Sequence, residues 1–248
     1  MRKLVGMSLA VVLTIFLAFG TALADSLPSS KVTVALGDLM ALGVRASSST
    51  ENGSTEDTGW ITVLQNFIKM PNQKDLCMDV ALQCGLVTDT TVKSVGGERD
   101  ISEAKGSIRV RVKVTHPDGS VEYALPLEED NPDLGVTYCY RLQRLEAKFA
   151  GLNCTADLDT GVVTCEDPEE LRLLLETLSA HAFNFYMADV SPGIHKIEVQ
   201  ARAQTGADLV GSELGKGGAE AFVGLGSMCV HNSRLIKGAD TGPIVELE

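Results

Sequence analysis

Downstream of Trp60, apolar and polar residues alternate with a period of two along most of the chain, as in strands with one dry face and one wet face. In KDLCMDVALQCG, residues 74–85, Leu76, Met78, Val80, Leu82 and Cys84 make the apolar set, and Cys77, Asp79, Ala81 and Gln83 point the other way. The stretch SIRVRVKVTHPDGSVEYALPL turns Ile108, Val110, Val112 and Val114 inward and Arg109, Arg111 and Lys113 outward. Its His116-Pro117-Asp118-Gly119 is a turn, so the stretch predicts an antiparallel hairpin. In VTYCYRLQRLEAKFAG the apolar parity changes: Val136, Tyr138, Tyr140 and Leu142 share one phase, Leu145, Ala147 and Phe149 the other. One extra residue near Gln143 or Arg144, a β-bulge, keeps both sets inside.

A single segment has the helical period. Asp167-Pro168-Glu169-Glu170 supplies an N-cap, a Pro at the first helical position and a Glu three residues past the cap. Leu171, Leu174, Leu175 and Leu178 follow on one face, predicting a short helix over about 168–179. Period two returns in HAFNFYMADV, in IHKIEVQARA after Ser191-Pro192-Gly193, and in AEAFVGLGSMCVHNSRLIKG after a Gly-rich loop at 206–218. About nine or ten short strands with one inserted helix predict a mainly β fold, an antiparallel β-sandwich of jelly-roll type. Residues 25–59 read as an N-terminal strand followed by a flexible polar loop, ASSSTENGSTEDTG, and residues 60–248 as a single sandwich domain.

The first residues change the compartment. Arg2 and Lys3, the apolar run Leu4 to Phe19, and Ala22-Leu23-Ala24 before Asp25 have the form of a signal peptide over residues 1–24. The expectation is a secreted, periplasmic or extracellular protein with no membrane span once the signal is cleaved. The formal charge is −12, and removing Arg2 and Lys3 makes the mature chain more acidic still, which excludes nucleic acid as a partner. All six cysteines follow the signal, and in an exported chain an even number favours disulfides. Cys154 and Cys165, at matched ends of CTADLDTGVVTC around the turn Asp159-Thr160-Gly161, are the first expected pair. Parity then suggests Cys77 with Cys139 and Cys84 with Cys229.

Searching for chemistry excludes more than it finds. The stretch KVTVALGDLMALG resembles the opening of the secreted Gly-Asp-Ser-Leu hydrolases, yet Leu39 stands where their nucleophilic Ser follows Gly37-Asp38. GSELGKGGAE lacks the spacing of a phosphate-binding loop and has Gly217 where Ser or Thr is needed. His116, His181, His195 and His231 are scattered without HxH or HExxH spacing, and no CxxC occurs, so no metal site is expected. The acidic run Glu128 to Asp133 and the pair Asp157 and Asp159 supply hard oxygens without completing a calcium loop; a structural calcium is the single cofactor they suggest. The basic row Arg109, Arg111 and Lys113, extended by Arg141, is the candidate ligand-binding face, suited to an anionic ligand or an acidic partner.

These readings point to an exported non-catalytic protein with a binding, adhesion or structural role towards an unidentified ligand or protein partner. The alternative is a secreted hydrolase assembled from distant residues, such as His195 or His181 with Asp189. Self-association through an exposed edge strand is a third reading.

Overall fold

The computed structural model describes residues 31–37, 42–48, 53–94, 99–148, 154–165, 169–210 and 215–234. Thirteen antiparallel strands run through them: β1 Val32–Gly37, β2 Leu42–Ser48, β3 Ser54–Asp57, β4 Ile61–Met70, β5 Lys74–Ser94, β6 Arg99–Thr115, β7 Val121–Tyr123, β8 Val136–Lys148, β9 Cys154–Ala156, β10 Val163–Cys165, β11 Glu169–Val190, β12 Gly193–Val210 and β13 Lys216–Ser233. One 3-10 turn, Glu128–Asp130, joins β7 to β8. Sheet I has the order β1-β13-β5-β11, with β2 also on β13. Sheet II has the order β3-β12-β6-β7, with β4 also on β12 and β8 also on β6, and β9 and β10 form a separate ribbon. The chain passes from β4 to β5, from β5 to β6, and then through β11, β12 and β13 by changing sheets each time, the jelly-roll-like alternation that makes a sandwich.

Period two decides what lies between the sheets. Leu76, Met78, Val80, Leu82 and Cys84 of β5 face Ile108, Val110, Val112 and Val114 of β6 and Ile197, Val199 and Ala201 of β12. Phe185 is 1% exposed and closes the β11 side. Farther along β5 the interior becomes polar: buried Thr88 donates to Gln143 Oε1 at 2.6 Å, and Gln143 Nε2 donates to Thr90 Oγ1 at 2.6 Å and to the Leu173 carbonyl at 2.8 Å. These three side chains are partnered across the two sheets, whereas Thr205 Oγ1 of β12 is buried without a hydrogen-bond partner.

Three expectations are corrected. Residues 169–190, expected to begin as a helix over about 168–179, are one continuous strand, registered against β5 from Glu169↔Ser94 to Val190↔Lys74. A helix would have left the backbone of β5 between Leu86 and Ser94 unpaired along one side, and that ladder outweighs local leucine spacing. Leu171, Leu174, Leu175 and Leu178 consequently all stay exposed. Asp167 and Pro168, which carried the helix start, lie outside the described residues.

The bulge in β8 exists, but earlier than its expected place. Ile108 pairs with Cys139 and Arg109 with Thr137, which puts the extra residue at Tyr138. Tyr140 and Leu142 therefore face solvent, while Cys139 turns towards the core and Gln143 is buried. The polar segment after β2 also contains order: Ser54–Asp57 pair with β12 as β3, and Asp57 meets Arg202. Residues 49–52 of that segment lie outside the described residues.

Candidate functional site

The basic row lies on the outer face of sheet II, and each member meets the protein's own acceptors. Arg109 donates to the Leu134 carbonyl at 3.0 Å and pairs with Glu128 at 3.2 Å; Lys113 pairs with Glu198 at 3.3 Å. Arg111 is only 8% exposed. Its guanidinium is held between the rings of Trp60 and Tyr123, 4.3 and 4.6 Å from the centroids, and donates to Gln200 Oε1 and the Pro132 carbonyl, both at 2.8 Å. Burial lowers its pKa, and the nearby Tyr123 and Asp133 oppose that shift. The loop that brings Pro132 over Arg111 ends at Gly135, with φ 62°, where a Cβ would lie 2.6 Å from the Trp60 ring. Arg141, on β8, crosses to β11 and donates to the Leu175 carbonyl at 3.2 Å and to Thr177.

The acidic residues considered for calcium are engaged too. Glu128 accepts from the Thr137 amide at 2.8 Å, and Asp157 accepts from the Asp159 amide at 2.9 Å and from Thr160 Oγ1 at 2.7 Å, stabilising its own turn. The histidines of the hydrolase alternative are far apart in role. His195 is fully buried, bonded to the Ser191 carbonyl at 2.8 Å and edge-on to His116; burial lowers its pKa. His181 contacts Ser179 Oγ at 2.6 Å, a Ser-His pair. Asp189 lies eight residues farther along β11, about 26 Å at strand rise, where its amide bonds Asp75.

The cysteines separate into three situations. The β9–β10 register sets the backbones of Cys154 and Cys165 opposite one another. Cys77, Cys84, Cys139 and Cys229 are free thiols, and Cys84, from sheet I, and Cys139, from sheet II, are neighbours at the core. Neither suggested pairing, Cys84 with Cys229 or Cys77 with Cys139, is formed, and the bulge at Tyr138 turns Cys139 inward, towards Cys84 and away from the outward-facing Cys77. The neighbouring Cys84 thiol and the Ile108 backbone lower the pKa of Cys139, and the neighbouring Cys139 thiol with burial raises that of Cys84.

Cys77 and Cys229 lie on the outer face of sheet I. Register places Cys77 opposite His231 and Asp79 opposite Cys229 on neighbouring strands. Residues two apart share a face and opposite residues stand side by side, so the four form a two-by-two block. Val32 and Val34 of β1 continue its rows on one side, Tyr186 and Asn184 of β11 on the other. A donor atom of each of Asp79, Cys229 and His231 lies within 4.8 Å of the others, the one such grouping of His, Cys, Asp and Glu among the described residues. Cys77 Sγ is 3.4 Å from Ser233 Oγ. Beside the block runs a groove of about 1120 Å³, lined among others by Lys74, Asp79, Tyr186, His231 and Arg234. The opposite end of this same face carries pairs instead, Arg172 with Asp89 at 2.6 Å and Lys93 with Glu170 at 2.7 Å.

The block escaped sequence reading because its halves, Cys77-x-Asp79 and Cys229-x-His231, are far apart in the chain and neither alone has metal-ligand spacing. The signal was the paired alternation of donor residues in two strands, which means something only once β5 and β13 are neighbours.

No family model matches the chain, and neither does any curated protein sequence. Among solved structures the similarities are slight. A CocE/NonD family hydrolase from Staphylococcus aureus is 10% identical with a TM-score of 0.18, covering 83% of this chain and 37% of that one. A structure of infectious bursal disease virus, Gx strain, is 10% identical at 0.17, covering 84% and 45%. A bacterial lipoprotein from Bacteroides thetaiotaomicron is 9% identical at 0.18, covering 83% and 97%. The chain spans less than half the length of the hydrolase and viral chains, and likenesses this slight carry no argument about function.

Proposed function

We propose that this chain is an exported, non-catalytic binding module whose recognition surface is the outer face of sheet I around Cys77, Asp79, Cys229 and His231. The observation that supports it is the contrast in engagement: this block stands open beside a broad groove, while the basic row is spent on internal acceptors. The form of residues 1–24 supports export. No helix among the described residues is long and apolar enough to cross a membrane. In the oxidising compartment that export implies, Cys84 and Cys139 become an inter-sheet disulfide: the two thiols lose two protons and two electrons. The electrons pass to a disulfide-bearing oxidant, which leaves as two thiols.

The competing reading, a secreted hydrolase, draws on the Ser179 contact with His181. Expression of the full chain, with mass measurement of the product in each compartment and an ester-hydrolysis assay on the purified protein, separates the two. The expected result is an exported product beginning at Asp25 with no turnover above buffer. An uncleaved cytosolic product overturns export, and turnover abolished by both Ser179→Ala and His181→Ala overturns the non-catalytic reading.

A further inference from the structure

We infer that Asp79, Cys229 and His231 form a binding site for one thiophilic divalent cation of the zinc class, with Cys77 as fourth protein ligand. This rests on the reading of that face as the recognition surface and names what it takes.

The donor set selects the ion. A thiolate, an imidazole nitrogen and a carboxylate oxygen suit zinc-class cations, whereas calcium and magnesium take oxygen donors. Bonds of about 2.0–2.3 Å in a tetrahedron separate ligand atoms by somewhat under 4 Å. The three donors already lie within 4.8 Å of one another, so small side-chain rotations suffice. Cys77 shares the face and stands directly opposite His231, and rotation about its Cα–Cβ bond exchanges Ser233 for the cation.

The backbone is already in place. β5 is hydrogen-bonded on both sides, to β13 and to β11, and its inward residues Leu76, Met78 and Val80 are at most 1% exposed. β13, which carries Cys229 and His231, is likewise paired on both sides, to β1 and to β5, so binding has little backbone order left to impose. Thiolate and neutral imidazole are the forms that ligate such cations. With two thiolates and one carboxylate around a doubly charged ion, the occupied block carries one net negative charge, and Lys74 and Arg234 of the groove lie nearby to offset it.

A direct disulfide between Cys77 and Cys229 is the competing fate. Those residues are diagonal neighbours in the ladder, not opposite ones. Diagonal Cβ atoms are set wider than the roughly 3.8 Å a disulfide takes, so the block favours a bridging ion.

The test uses the mature full chain, as purified and after treatment with a non-chelating phosphine reductant. Zinc chloride is titrated in competition with a chromophoric chelator, and cobalt(II) serves as a spectroscopic substitute. The expected result is one zinc per chain, with cobalt giving thiolate-to-metal charge transfer in the near ultraviolet and the strong visible bands of a four-coordinate site. His231→Ala, Asp79→Asn and Cys229→Ser each weaken zinc by at least about 10-fold. Cys229→Ser and Cys77→Ser each remove part of the charge-transfer intensity, and Cys139→Ser leaves binding unchanged.

The inference is overturned by zinc bound at less than one equivalent, by affinity unchanged in both His231→Ala and Asp79→Asn, or by a Cys77–Cys229 disulfide in the purified protein. Unaltered charge transfer in Cys77→Ser overturns its assignment as a ligand. Melting curves of each variant establish that it is folded. Should zinc fail to bind while the product is exported and inactive on esters, the cation assignment falls and the binding-module reading stands.

Discussion

The outer faces of the two sheets are built by the same alternation and end in opposite conditions. On sheet II the segment from β7 through the 3-10 turn brings Tyr123 and Glu128 over the strand, Trp60 supplies the second ring on Arg111, and Lys113 meets Glu198 of the neighbouring β12. On sheet I nothing described in the chain returns across the Cys77 end, and its donors face a groove. Outward-pointing polar residues thus divide into those that hold the fold's own loops and those left for something else. Only the loops' path distinguishes them.

Substitution and redox changes sharpen this comparison. The largest expected effect is neither face's but the interior's: protein oxidised at Cys84–Cys139 is more stable than reduced protein by about 4 kcal/mol, from closing a loop of roughly 55 residues. Urea unfolding of both forms measures it, and a Cys84→Ser, Cys139→Ser double variant abolishes the difference. Peptide mapping that joins either cysteine elsewhere refutes the bulge-directed pairing.

Arg111→Ala comes next, at about 3 kcal/mol of lost stability, since it leaves the Gln200 and Pro132 oxygens and two ring faces without their cation. Denaturant midpoints read it, and zinc binding on the opposite sheet is expected to stay unchanged. If stability is untouched, Arg111 is free to serve a ligand, and the contrast between the faces collapses.

Acid has a smaller effect. Hydrogen bonds from Arg202 hold the carboxyl of Asp57 well below the usual carboxylate range. Its stabilisation is fully present above the unfolded pKa of about 3.9 and is lost as pH falls through that value and below it. The pair is partly exposed, so screening limits the term to about 1 kcal/mol or less. Midpoints measured across acid pH are expected to show a shallower decline in Asp57→Asn than in the parent chain.

The smallest effect is on the open face. Metal-free His231→Ala is expected to change stability by no more than about 0.5 kcal/mol, because its side chain is only half-buried and makes no hydrogen bond or ion pair among the described residues. A loss as large as that of Arg111→Ala would make the block structural.

The alternations in β5, β6 and β12 were legible because period two needs no partner to be recognised. The run of leucines at 171–178 misled for a related reason: helical spacing is visible locally, whereas the unpaired edge of β5 that claims the segment is not. The parity change in β8 announced a bulge, but either phase accommodates Tyr140 and Leu142 until their packing partners are known. The outward placement of Arg109, Arg111 and Lys113 could be read, and the loop and neighbouring strand that supply their partners could not.

What the sequence by itself determined is the class of object: a mainly β chain with one dry face per strand. This follows from composition and from patterns spanning a few residues. Which cysteine meets which, which basic residues are engaged, and that Cys77, Asp79, Cys229 and His231 share a block were decided by tertiary structure alone. Each depends on register between strands distant in sequence, and a shift of one residue would send every side chain concerned to the other face.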